Sequence, residues 1–183
     1  MVKQDRRFEK TENAIQESFL QLLMTKDCSK ISVKEICQQA QISRNAFYQH
    51  YETKEHLYRA IQTDILLAME EACRPVVDNL ADIKEEERRQ FINNILAAVE
   101  QQKSKIYHLL NSQPAYFSLA FRDMLIEASV KSSQRFPEPI NPAFIHIFSG
   151  AVSSYICYWL LETDLSLLEA QEQLFSILEN LGT

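Results

Sequence analysis

Ser32-Val33-Lys34-Glu35-Ile36-Cys37-Gln38-Gln39-Ala40-Gln41-Ile42-Ser43-Arg44-Asn45-Ala46-Phe47-Tyr48-Gln49-His50-Tyr51 decides the architecture of the first third of this chain. It opens with a capping box. Ser32 and Glu35 stand three residues apart, so hydroxyl and carboxylate can each satisfy a backbone N–H that a helix start leaves unpaired. Val33, Ile36, Cys37 and Ala40 then recur at the spacing of one buried helical stripe. Gln41-Ile42 leaves room only for a tight turn, and Ser43 is placed to cap a second short helix ending near His50. Two short helices joined this way predict a helix-turn-helix.

In the second helix, Phe47 and Tyr51 fall on the inward side and Arg44, Asn45, Tyr48 and Gln49 on the outward side. A second helix of this kind enters the major groove of DNA. Arg44 can donate two hydrogen bonds to a guanine edge, Asn45 or Gln49 can pair with adenine, and Ala46 can touch a thymine methyl. Those four are the base-reading candidates. Candidates for holding phosphate are the helix starts at Ser32 and Ser43, the hydroxyl of Tyr48, His50 and Lys54. Lys3, Arg6 and Arg7 are expected to add a mobile basic arm.

Before this stretch, Ile15, Phe19, Leu22 and Leu23 predict a helix from about Arg6 to Met24. After it, Thr53 caps a longer helix that carries Leu57, Ile61, Ile65 and Ala68 on one stripe and ends before Pro75. Further helices are expected at about 85–102, 104–111 and 114–134. A break at Phe136-Pro137-Glu138-Pro139 follows, then a helix from Asn141-Pro142 to about Glu162. A second capping box, Ser166-Leu167-Leu168-Glu169, opens the last helix. The division expected is a DNA-binding domain at 1–52 and a helical effector-binding and dimerisation domain at 53–183, with 53–74 as the linking helix.

The helix after Pro142 carries Phe144, Ile147, Phe148, Val152, Tyr155, Ile156, Trp159 and Leu160, more apolar surface than one core of this size hides. A partner subunit is the natural cover. A two-fold four-helix interface is therefore expected, with Phe148, Gly150, Val152, Leu174 and Leu178 in it. Gly150 costs about 1 kcal/mol of helix propensity and would permit close backbone approach. Tyr107, Phe117, Phe121, Met124, Tyr155 and Trp159 could line an effector cavity, with plain core packing as the other reading of each.

Composition sets the outer limits. At 46% hydrophobic and 24% charged, the chain has enough apolar material to fold throughout. With 2 Gly, 5 Pro and no sustained alternation, the fold class is all-α. The net charge of −6 divides into +2 over residues 1–60 and −8 over the rest, so only the first part is suited to approach phosphate. Cys28, Cys37, Cys73 and Cys157 lie in separate helical patterns without zinc spacing and read as buried thiols. His108 and His146 read as structural, and Lys84-Glu85-Glu86-Glu87-Arg88-Arg89 as a solvated helix start. No nucleophile–base, paired-carboxylate, phosphate-loop or metal arrangement stands out, so neither catalysis nor a cofactor is expected. No apolar signal core follows Met1, and the apolar stretch from Ala143 to Leu161 is interrupted by His146, Ser149, Ser153 and Ser154. A cytoplasmic protein without a membrane partner is expected.

Residues 6–59 resemble the TetR family of bacterial regulators. Lys10-Thr11, Ile15 and Phe19 are similar to the family's first helix, and Ile31-Ser32-Val33-Lys34-Glu35-Ile36 to its "(I/L)-T-V-x-x-I" entry to the second. The run from Ala40 to Leu57 resembles its "A-G-V-S-x-x-T-(F/Y)-Y-x-H-F-x-(S/T)-K-E-x-L" signature. Three positions depart from it. Asn45 and Ala46 replace common Gly and Thr, while Gln41 replaces the turn Gly and so needs a left-handed backbone if the turn is kept. The resemblance implies about nine helices per subunit and a homodimer on a near-palindromic operator. It also implies repression relieved by a small molecule. Tyr107-x-x-Leu-Leu and Phe148-Ser149-Gly150 through Trp159-Leu160 resemble, more weakly, a branch that includes a regulator of dihydroxyacetone kinase operons. That likeness implies the alternative of a helical co-regulator or activator acting through protein partners.

Overall fold

A computed structural model describes residues 2–73, 85–133 and 141–181. Among the described residues there are nine α-helices, one 3-10 turn and no strand. The order is α1 (Val2–Leu23), the 3-10 turn (Cys28–Lys30), α2 (Val33–Gln39), α3 (Arg44–His50), α4 (Lys54–Ala72), α5 (Glu85–Gln101), α6 (Lys103–Ser112), α7 (Pro114–Ser133), α8 (Pro142–Glu162) and α9 (Leu167–Leu181). The expected breaks before Pro75 and at Phe136–Pro139, together with Lys84, lie outside the described residues.

The starts are built by the expected caps. Thr53 accepts from the amide of His56 at 3.0 Å, and the amide of Glu52, one residue ahead of the cap, donates to His56 Nδ1 at 3.3 Å. Asn141 accepts from the amide of Ala143 at 2.9 Å, with Pro142 at the first helical position. Ser166 and Glu169 close the last box, the carboxylate accepting from the Ser166 amide at 2.8 Å.

One boundary differs in a way that matters. Helix α1 begins at Val2, so the backbone of the expected mobile arm is helical, and Arg6 and Arg7 stand exposed on it. The 3-10 turn at Cys28–Lys30 is a second addition. On α4, Met69 rather than Ala68 completes the buried stripe, and Tyr58 and Gln62 are buried beside it.

A single core runs through the described residues. Ile15 and Phe19 of α1, Ile36 of α2, Phe47 of α3 and Leu57 and Ile61 of α4 form its first part. From there it continues into a body in which α8 packs on α7 and α9 on α5. Helix α1 also touches α6, and α4 packs against α5 and α7, so α1 and α4 both belong to the two halves. Helix α8 is long and apolar enough, by composition, to cross a bilayer, with a mean hydropathy of 1.4 in its best window. Its inner face, including Ile145, Val152, Ile156 and Trp159, is buried in the protein.

Candidate nucleic-acid interface

The turn between α2 and α3 holds the second helix at its angle. The amide of Ile42 donates to the carbonyl of Cys37 at 3.0 Å and that of Gln41 to Gln38 at 3.3 Å, the paired bonds of a Schellman end. Gln41 sits at φ 54°, the left-handed conformation that the missing glycine demands. Ser43 then caps α3 by accepting from the amide of Ala46 at 3.1 Å, which leaves its own O–H uncommitted.

Helix α3 is pinned from within. Phe47 is fully buried, and the Tyr51 ring behind it is covered too. The Tyr51 hydroxyl donates to Glu12 at 3.1 Å and accepts from the Gln16 side-chain amide at 3.1 Å, tying the end of α3 to α1. Burial, reinforced by Glu12, pushes that phenol up to about 12, so it stays a neutral donor. With this face inward, Arg44, Asn45, Tyr48 and Gln49 are exposed and Ala46 is half-buried between them. Three of the four base-reading candidates are thus exposed on one two-turn helix, and the fourth, Ala46, is half-buried among them.

The phosphate candidates divide. Tyr48 is exposed and Ser43 keeps a free donor. His50 is half-buried, its ring on that of Phe8 with centroids 3.8 Å apart. Its Nδ1 is enclosed without a partner, so only Nε2 remains for an outside group. One expectation is corrected, that of Lys54. At the start of α2, Ser32 donates its hydroxyl proton to Glu35 at 2.8 Å and accepts from the Glu35 amide at 3.3 Å, so its hydroxyl is committed to the capping box. Glu35 also pairs with Lys26. The ammonium of Lys54 does not face outward. It donates to the carbonyls of Cys28 at 2.7 Å, Ser29 at 3.0 Å and Ile31 at 2.7 Å, and its side chain is only 17% exposed.

In the body, five of the six aromatic and methionine candidates are buried and Tyr107 is exposed. Tyr155 donates to the carbonyl of Ala170 at 2.8 Å and Trp159 Nε1 to that of Leu165 at 2.9 Å, so both fasten α8 to the segment that starts α9. Phe117 and Phe121 stack on each other at 6.3 Å and, with Met124, are packed into the core. Tyr107 faces an open groove, beside Glu100, Lys103, Ser104, His108 and Asp164. In that groove Ser104 and His108 Nε2 are 3.3 Å apart, and burial lowers the His108 pKa. Core packing is the outcome for the other five.

The interface candidates also divide. Val152 and Leu174 are each 1% exposed and belong to the subunit's own core, which corrects their assignment. Phe148 and Leu178 are half-buried, and a Cβ on Gly150 would meet nothing within 4 Å. The exposed side of α8 instead carries Phe144, Ile147, Ala151, Ser154, Tyr158 and Leu161, at steps of three and four. Ile147 is 70% exposed, and α9 adds exposed Leu168 and Ile177. The thiols of Cys28, Cys37 and Cys73 are buried and that of Cys157 is half-buried; desolvation raises all four pKa values, which keeps them protonated and unreactive.

Fold and site together define a helix-turn-helix module carried on an all-helical body. Residues 20–61 match the family of bacterial regulatory proteins, tetR family. Across 96% of this chain and 97% of the other, the structure is similar to a TetR transcriptional regulator from Streptococcus agalactiae, with a TM-score of 0.65 at 24% identity. NalD of Pseudomonas aeruginosa, the secondary repressor of the MexAB-OprM multidrug efflux pump, gives 0.67 at 18% identity over 94% and 96%. The dihydroxyacetone kinase operon activator DhaS gives 0.60 at 17% identity over 93% of both chains. In sequence, the chain is 25% identical over 116 residues to the uncharacterised HTH-type transcriptional regulator YxbF of Bacillus subtilis, covering 63% of this chain but 30% of that relative's length.

Proposed function

We propose that the protein is a TetR-type transcriptional regulator that acts in the cytoplasm as a homodimer on a near-palindromic operator. The observation that carries this reading is the exposed polar side of α3, with Arg44, Asn45 and Gln49 presented while Phe47 and Tyr51 anchor the helix. Arg44, Asn45, Ala46 and Gln49 read base edges in the major groove, and Ser43, Tyr48 and His50 hold the flanking phosphates. The dimer buries the outer stripe of α8 from Phe144 to Leu161. Its three-and-four spacing is the seam of helices crossing at a shallow angle.

Regulation in this reading is repression relieved by a small molecule. Helix α4 supports that part, because it joins the DNA-binding core at Leu57 and Ile61 and also packs against α5 and α7. A ligand that favours the body arrangement with mis-spaced recognition helices shifts the population off DNA. The similarity to the operon activator DhaS gives weight to a second reading, an activator, for which we propose action through a protein partner.

The test is a titration of the purified protein against its own promoter fragment and a scrambled duplex at two salt concentrations. Tight binding of the promoter alone supports the first reading. Binding only when a partner protein is added supports the second, and equal binding of both duplexes removes the base-reading role of α3.

A further inference from the structure

We infer that Lys54 is a positioning residue that locks the start of α4 to the connection between α1 and α2, and that it makes no contact with DNA phosphate. The inference rests on the operator-binding reading above. An ammonium has three N–H donors. All three are used here, on the carbonyls of Cys28, Ser29 and Ile31 at 2.7, 3.0 and 2.7 Å. The Cys28 oxygen also accepts from the Ile31 amide at 3.2 Å, and all three oxygens lie at the end of the 3-10 turn, where backbone carbonyls present partial negative charge. For Lys54 to reach a phosphate, it would have to abandon three charge-assisted bonds for one.

Position gives the clamp its consequence. Ile31 directly precedes Ser32, the cap of α2, and Lys54 directly follows Thr53, the cap of α4. One side chain therefore sets where α2 begins relative to where α4 begins. The next turn of α4 reinforces it, with Leu57 fully buried and the Tyr58 ring edge-on to Phe19 of α1 at 6.5 Å. The helix-turn-helix and the first turns of α4 move as one piece. A change in spacing between two recognition helices then comes from α4 beyond Tyr58, not from a hinge at Thr53.

The test compares the full-length wild type with Lys54→Ala and Lys54→Arg. Arginine keeps the charge, but its planar fork cannot send three donors from one nitrogen. Operator affinity is measured from 50 to 200 mM salt, and hydrogen–deuterium exchange is followed across residues 28–36 without DNA. The clamp predicts that both variants bind about tenfold more weakly. It also predicts that both keep the wild-type salt slope and exchange faster at Ile31 to Ile36. The inference is overturned if Lys54→Arg binds like wild type while Lys54→Ala flattens the slope by about one unit, the signature of a lost phosphate contact. Unchanged exchange in both variants overturns it equally. If the wild type itself ignores the promoter fragment, the operator reading fails, and the exchange arm still decides the clamp.

Discussion

The amide of Ile42 reaches the carbonyl of Cys37 at 3.0 Å across a turn whose middle residue, Gln41, is held at φ 54°. A side chain in that conformation costs about 1 kcal/mol relative to glycine, because its Cβ crowds the following carbonyl. The turn persists because Ile42 is drawn toward the core and both Schellman bonds are made. Gln41→Gly should therefore stabilise the protein by about 1 kcal/mol, or about 2–4 °C in melting temperature for a chain of this size. A lower melting temperature in that variant would show that the strain is not in this turn.

Glu35 supplies a pH-dependent contribution. The Lys26 bond first, then the amide and hydroxyl of Ser32, lower its carboxyl pKa to about 2. The unfolded value is about 4.3. Because the folded value is the lower one, the contribution is complete above the unfolded pKa and disappears as pH falls toward 2. In denaturant melts, the wild type should exceed Glu35→Gln by a constant margin above about pH 5, and the margin should close at the acid end. A margin as wide at pH 2 as at pH 7 would assign the loss to packing rather than charge.

Arg44 and Gln49 stand on the same exposed side of α3 and are expected to act differently from the groups flanking them. Replacing Arg44 with alanine should weaken the matched operator by about 1–3 kcal/mol and relax one base preference. Tyr48→Phe should weaken matched and scrambled duplexes alike. Anisotropy titrations on a panel of single-base variants separate the two patterns.

Ile147 and Leu174 test which side of the last helices faces a second subunit. Ile147→Glu should yield a monomer by light scattering with little change in unfolding, since the side chain touches little of its own subunit. Leu174→Ala, by contrast, removes a fully buried group and should cost about 2–5 kcal/mol of fold stability. An Ile147→Glu protein that remains a dimer would place the interface elsewhere.

Local chemistry made much of this legible. Caps at Ser32, Ser43, Thr53, Asn141 and Ser166 fix helix starts within a few residues, and the short spacing between α2 and the Ser43 cap calls for a left-handed residue at Gln41. What escaped were choices made by tertiary packing. Trp159 and Tyr155 look the same in sequence whether they line a pocket or, as found, fasten α8 to the start of α9 through their polar atoms. Lys54 reads as surface charge because no local pattern reveals carbonyls brought close from 23 to 26 positions earlier. The outer seam of α8 was detectable. Reading Phe144, Ile147, Ala151, Ser154, Tyr158 and Leu161 at steps of three and four separates it from the stripe containing Val152, which a count of apolar residues does not.

Helix α4 is a structural member of both halves, and this bears on where the two can be divided and recombined. A chimera joined ahead of Thr53 would strip Leu57, Tyr58 and Ile61 from the head and leave Phe19 without its cover. Transplanting this specificity onto a foreign sensor therefore calls for a splice downstream of Ile61, carrying the donor's opening turns of α4 along as part of the graft.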